Sequence, residues 1–322
     1  MARLVLALLT LLAFALPLRA EGDYPHTTIR IILGFSPGSA PDVAARILAE
    51  RFTAAWNKPV VVENMLGAGG NIAADYVAKA APDGLTLLMA GNAAIVINPS
   101  LYAKLPYDPS RDLVPIAQVT IAPNVLVLNK DVPAKTVPEL VELARRKPGE
   151  LTYASAGLGT STHLAGELFQ SMAGIKLLHV PYRDSAALLS DLVSGRVTMF
   201  FGSIASVLPQ VRDGQLRALA VTSLRRSPAM SDLPTLDELG FSGFDAGAWF
   251  GLMAPAGTPA QVVAMLHQEA SRAMAAATAR EKFAALGMET VERTPDQFAA
   301  AIRAEIPVWA KLIKQVGIAP IQ

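Results

Sequence analysis

Cysteine is absent from this 322-residue chain. That excludes disulfides, a thiol nucleophile, thiolate metal sites and a lipid-modified N-terminal cysteine, so stability has to come from core burial. Charge is scarce and balanced: charged residues make up 17 %, and 28 basic against 27 acidic side chains leave +1. No basic face for nucleic acid or for an anionic membrane follows from such a balance. With 52 % hydrophobic residues, the chain also has too much apolar material for disorder. The four histidines, His26, His163, His179 and His267, form no i, i+4 or His-x-His pair, so no local metal signature is present. Low-complexity linkers and short-period repeats are missing. The longest apolar run, Leu4–Leu18, falls short of the about 20 residues a membrane-spanning helix needs.

That run has a different use. Arg3 precedes it, Arg19-Ala20 close it, and polar composition begins at Glu21-Gly22-Asp23. A basic start, a short apolar stretch and a small residue at the end form a secretory signal, with residues 1–20 removed. The mature chain is expected in the periplasm.

Downstream, strand-like and helix-like segments alternate. Ile29–Leu33, Val60–Val62, Leu85–Met89, Val125–Leu128, Leu151–Ala154, Leu177–Val180, Val197–Phe201 and Leu216–Val221 read as strands. Residues 40–56 read as a helix with Val43, Ile47, Leu48 and Phe52 on one face. Asn71–Ala80 is a second helix, and Thr136-x-x-Glu139 has capping-box spacing before a third that runs to Arg146. Such alternation predicts parallel sheets covered by helices. After Pro234 a Gly/aromatic stretch, Phe241–Met253, leads to Ala-rich helical patterns around 259–285 and 295–315.

Two strand–loop–helix units carry similar loops. In the first, Ile29–Leu33 gives way to Gly34-Phe35-Ser36-Pro37-Gly38-Ser39, and Ser39 with Asp42 forms a predicted N-cap pair. In the second, Leu151–Ala154 leads through Ser155-Ala156-Gly157-Leu158-Gly159-Thr160-Ser161 into a helix. Small residues let a ligand approach the backbone, and a helix N-terminus offers unpaired N–H groups and partial positive charge, which suits an anion. The alternative is that both are ordinary capped turns.

Other patterns compete for the same residues. Gly34-Phe35-Ser36-Pro37-Gly38 matches the G-x-S-x-G elbow of serine hydrolases. The oxyanion hole of such an enzyme uses the backbone N–H after the nucleophile, and Pro37 has none. Gly67-Ala68-Gly69-Gly70 lacks dinucleotide-site spacing and bends the chain. His163, beside Thr160, is expected to bond the loop; a general-base role lacks a nucleophile to serve. Trp249 and Phe250 pack in the core or wall a cleft. Arg183 is either a solvated side chain or a bidentate partner for a second carboxylate.

A set of ordered segments then carries a family resemblance: Tyr24-Pro25; the first loop with Asp42; Val62-Glu63-Asn64 before Gly67–Gly70; Pro82-Asp83-Gly84; Asn98-Pro99-Ser100-Leu101-Tyr102; Tyr153-Ala154-Ser155 with Gly159-Thr160; His163-Leu164-Ala165-Gly166-Glu167; Val180-Pro181-Tyr182; Leu208-Pro209-Gln210; and Ala254–Pro259. In this order they resemble the substrate-binding proteins of tripartite tricarboxylate transporters, the Bug or TctC-like family. The resemblance implies an α/β, type II periplasmic-binding-protein fold with a ligand cleft between two α/β lobes. One lobe comprises 24–123 with 247–322 and the other 124–246. It implies a monomer that captures a small carboxylate for a membrane permease, with neither cofactor nor metal and no chemistry of its own. A binding protein that feeds a sensor, or a hydrolase using Ser36, remains the alternative. The implied ligand-binding residues are Phe35, Gly38, Ser39 and Asp42; Gly91 and Asn92; Ser155, Gly159, Thr160 and Ser161; Arg183; and Gly202. The chain departs from the family pattern in three places. Ser39 replaces a second glycine. Arg183-Asp184 stands where Lys or Arg is followed by Gly. Gly202 stands where many relatives have Asp, which disfavours an amino-acid ligand and is expected to leave room for a bulkier one.

Overall fold

The computed structural model describes residues 24–182, 184–318 and 320–321. The expected signal segment 1–20 and Arg183 lie outside the described residues.

The chain folds as β1 (Ile29–Leu33), α1 (Ala40–Trp56), β2 (Val60–Asn64), α2 (Asn71–Ala78), β3 (Thr86–Gly91), a π-helical turn (Ala93–Ile97), α3 (Asn98–Leu101), α4 (Pro109–Asp112), β4 (Leu113–Ala122), β5 (Asn124–Asn129), α5 (Val137–Arg146), β6 (Thr152–Ser155), α6 (Ser161–Ala173), β7 (Leu178–Pro181), α7 (Ser185–Val193), β8 (Met199–Ser203), α8 (Ile204–Arg212), β9 (Leu216–Val221), β10 (Ala248–Pro255), α9 (Ala260–Ala275), α10 (Ala277–Ala285), β11 (Glu289–Thr290) and α11 (Pro295–Val316). A six-stranded sheet has the order β11-β4-β10-β3-β1-β2, and a five-stranded sheet has β7-β6-β8-β5-β9.

β1 shows why the first sheet is sandwiched. Ile29, Ile31, Ile32 and Leu33 are all fully buried, as in a strand covered on both faces. Ile31 and Leu33 pack with Leu48 and Phe52 of α1, while Ile32 faces Ala73, Ala74 and Val77 of α2. The buried stripe of α1 uses Ala44, Ala45, Leu48, Ala49 and Phe52, so alanines replace the expected Val43 and Ile47 and let the helix lie close to the sheet.

Both sheets are mixed, which corrects the expectation of parallel sheets. β1, β2 and β3 are parallel, as are β7, β6 and β8. β4 and β10 pair antiparallel to each other, β10 runs antiparallel to β3, and β5 runs antiparallel to β8 and β9. These antiparallel strands are the ones on which the chain crosses between sheets: β4 runs through Pro123 into β5, and β10 brings the chain back. The helical pattern at 259–285 is broken at Ala276, whose backbone is extended, so that Ala279 and Phe283 of α10 turn inward. Among the described residues, no helix is long and apolar enough to cross a membrane.

Candidate functional site

The registers bring the loops to one level. The end of β3 pairs with the start of β10 (Gly91 with Phe250), and Ala248 pairs with Ala122 at the end of β4. Across the crossing, Asn124 pairs with Ser203 at the end of β8. The loops that leave β1, β3, β6 and β8 therefore open at the crossovers, outside the carboxyl ends of the strands, where open α/β sheets bind ligands.

The crossing segments are pinned by side chains. Asn92 Nδ2 donates to Gly247 O at 3.0 Å and Asn124 Nδ2 to Ala246 O at 3.0 Å. Thr222 Oγ1 accepts from the Asn124 amide at 3.0 Å, and its proton lies between the carbonyls of Asn124 (3.1 Å) and Ala246 (3.2 Å). Asn92 thus serves the crossing, an assignment its position after β3 did not reveal.

In the first loop, Asp42 is 1 % exposed and its carboxylate is fully engaged. It accepts from the Gly38 amide at 2.9 Å, Arg46 Nε at 2.8 Å, Arg46 Nη2 at 3.2 Å and Asn64 Nδ2 at 2.9 Å. Burial alone raises its pKa, but the bonds from Arg46, Asn64 and Gly38 outweigh burial and hold it below the usual carboxylate range. Asp42 shapes the loop around the left-handed Gly38 (φ 78°). It forms no cap pair with Ser39. Ser39 occupies the N-cap position of α1 with an extended backbone, yet its hydroxyl makes no cap bond. That hydroxyl is buried and has no partner among the described residues. Phe35 lies edge-on to Phe250, ring centroids 5.4 Å apart, and a Cβ on Gly91 would stand 2.6 Å from Phe35 Cζ. Gly91 is therefore glycine because the Phe35 ring needs the space.

The second loop is wired from below. Ser155 is fully buried; its Oγ lies 2.6 Å from His179 Nε2 and accepts from the Gly157 amide at 3.1 Å. Thr160 Oγ1 donates to Gly157 O at 2.7 Å. Thr162 Oγ1 accepts from the Ala156 amide at 3.0 Å and lies 2.9 Å from Thr160 Oγ1. The Gly159 amide donates to His163 Nδ1 at 3.1 Å, the loop bond expected of His163. Ser161 opens α6, and its amide and hydroxyl take no partner among the described residues. Beneath the loop the His163 and His179 rings lie 4.2 Å apart, Tyr153 stacks on His179 at 4.8 Å, and the Tyr153 hydroxyl donates to Glu167. Burial pushes the His163 pKa down to about 4, with neighbouring His179 adding to the effect; burial also lowers His179. Ser155, Gly159 and Thr160 are thus brought together by histidines and a threonine far from them or hidden in the helix, which turn chemistry alone did not disclose.

Gly202 does not leave room for a bulkier ligand. A Cβ there would lie 2.4 Å from Phe200 Cε1 and 3.0 Å from Val207 Cγ1, so the Phe200 ring already fills the space. An open groove of about 640 Å³ lined by Met65, Ile72, Asp75, Tyr76, Lys79 and Ala80 runs along α2 and contains none of the predicted site residues.

Two helix-flanked sheets joined by crossing strands, with loops from both opening at the joint, define a two-lobed solute-binding receptor of the periplasmic-binding-protein fold. The model of the tripartite tricarboxylate transporter family receptor matches residues 44–318, and the chain belongs to that family. It is 38 % identical to Protein BugT of Bordetella pertussis over 94 % of this chain and 93 % of that one. A structure of an R. palustris protein with adipate is 34 % identical and superposes with a TM-score of 0.80 over 93 % of this chain and 100 % of that chain. MatC from Rhodopseudomonas palustris, with bound malate, is 32 % identical and gives 0.75 over 90 % and 100 %. The family and its solved members are receptors, so the G-x-S-x-G segment is a loop of a binding protein and Ser36 is not an enzyme's nucleophile.

Proposed function

We propose that this receptor captures a small dicarboxylate outside the cytoplasm, after removal of residues 1–20, and delivers it to the membrane permease of a tripartite tricarboxylate-type transporter. The observation that carries the reading is the orphaned Ser39 hydroxyl at the uncapped N-terminus of α1. An unpaired buried hydroxyl costs about 1–3 kcal/mol. A carboxylate set against it accepts its proton and gains from the helix dipole at the same point. The unpartnered Ser161 amide and hydroxyl at the start of α6 offer a second grip from the opposite lobe. Similarity to proteins solved with adipate and malate supports a ligand with two carboxylates.

A thermal-shift screen tests this. Adipate, malate and related dicarboxylates are expected to raise the melting temperature, since a ligand at about 100 times its Kd stabilises by about 2.7 kcal/mol. Zwitterionic amino acids are expected to be silent. Ser39→Ala is expected to weaken the responding acid about tenfold, the value of one hydrogen bond to a charged group. A melt shifted by amines, sugars or metals alone rules the reading out.

A further inference from the structure

Two positions where the lobes touch behave differently. On the hinge side, a Cβ on Gly287 would meet the Ala205 amide nitrogen at 2.8 Å. Gly287 lies two residues before β11, which pairs with Thr120 and Ile121 just before the crossing, and Ala205 lies two residues after Ser203, which pairs with Asn124 just after it. That contact sits beside the crossing segments. The other contact lies at the end of α3, after the π-helical turn. There Leu101 of the first lobe, 1 % exposed, packs against Gly159 of the second, and a Cβ on Gly159 would lie 2.2 Å from Leu101 Cδ2.

Both sides of this contact are braced. The Gly159 amide is held by His163 Nδ1, and its backbone is left-handed at φ 75°. On the opposite side, the Ile321 amide donates to Leu101 O at 2.8 Å, the Ala103 amide donates to Ile321 O at 2.9 Å, and Asn98 Nδ2 donates to Asn71 Oδ1 at 2.7 Å. Leu101 belongs to a hydrophobic core that runs from Ile32 and Leu88 of one lobe to Leu164 and Phe169 of the other. Gly159 therefore has its polar group turned inward and its bare Cα turned to the opposite lobe.

We propose that Leu101 and Gly159 form the closure contact of this receptor, a pair of positioning residues that touch each other and not the ligand, and whose fit sets ligand affinity. The proposal rests on the reading that a bound acid holds the lobes together. A contact made only in the closed state adds to the closed population, and apparent affinity scales with that population. Gly159, predicted as a ligand contact, acquires a different task.

A double-mutant cycle separates this role from backbone strain. Binding of adipate and of malate is measured by calorimetry for Gly159→Ala in the wild-type background and in Leu101→Ala. The methyl group at position 159 is expected to weaken binding by about tenfold or more against Leu101, and by clearly less once Leu101 is shortened. Strain at a positive φ acts equally in both backgrounds, so equal losses overturn the proposal. A second measurement needs no ligand. The chain has no cysteine, so Ala103→Cys combined with Leu158→Cys gives a unique pair for a short bifunctional maleimide, both positions being exposed while Leu101 keeps its contact. Intramolecular cross-linking is expected in the free protein and faster with a dicarboxylate that binds. Absence of product, or a rate indifferent to a dicarboxylate that calorimetry shows to bind, overturns the closure contact. If neither acid binds the wild type, the functional reading fails, and cross-linking of the free protein alone decides whether the lobes meet here.

Discussion

At the scale of single residues, the most sensitive groups are those that hold the loops from behind. His163 must be unprotonated at Nδ1 to accept from the Gly159 amide. Its folded pKa lies near 4 and its ordinary value near 6.5. Unfolded chain therefore takes up the proton first, and the stabilisation is complete above about pH 6.5 and declines as pH falls toward 4. The full difference is of order 3 kcal/mol. His179, lowered by burial, acts in the same direction. Glu305, whose carboxyl is raised by burial, acts in the opposite direction, so the informative quantity is a difference between variants. His163→Asn keeps an acceptor and loses the titration. Urea midpoints of wild type and variant at pH 7, 5.5 and 4.5 are expected to diverge with acid, wild type losing more. Parallel pH curves refute the assignment. Asp42, by contrast, titrates below this range, because its bonds from Arg46, Asn64 and Gly38 favour the charged form.

At the scale of elements, the crossing strands carry the argument. Thr222 is fully buried and its single hydroxyl ties both crossing segments. Thr222→Val keeps the shape and leaves the buried Asn124 amide unpaired. A loss of about 1–3 kcal/mol is expected, seen as a lower urea midpoint at unchanged slope; an unchanged midpoint shows that the crossing is held by packing alone. The same elements mark the limit of local pattern reading. α1 spans residues 40–56 as its periodicity predicts, and β9 spans Leu216–Val221. The ten-residue β4 and the eight-residue β10 are not marked by the alternation that identifies the others. β10 reads as an irregular Gly/aromatic stretch because Gly251 has Phe298 lying where a side chain would be. The capping box before α5 is half formed: Thr136 accepts from the Glu139 amide at 3.3 Å, but the Glu139 carboxylate takes the Lys135 amide at 2.8 Å.

At the scale of the molecule, the proposed capture requires the two lobes to turn about the crossing segments, and a ligand favours whichever arrangement it binds better. Small-angle scattering is expected to show a smaller radius of gyration with a binding dicarboxylate than without one. Identical profiles under saturating ligand defeat the hinge account and leave a preformed cleft.

The sequence by itself determined the alternation of strands and helices, the position of both loops, and a series of short segments specific enough to indicate the family. These are local features: periodicity, turn chemistry and caps act over a few residues, and a one-dimensional string displays them. Tertiary structure decided what each loop residue is for. Asp42 finds Asn64 22 positions away, Ser155 finds His179 24 positions away, and Gly159 meets Leu101 across the cleft. Gly202, empty in the sequence, is filled by Phe200. Such pairings depend on strand register and on how two lobes are set against each other, and neither is written in the spacing of residues along the chain.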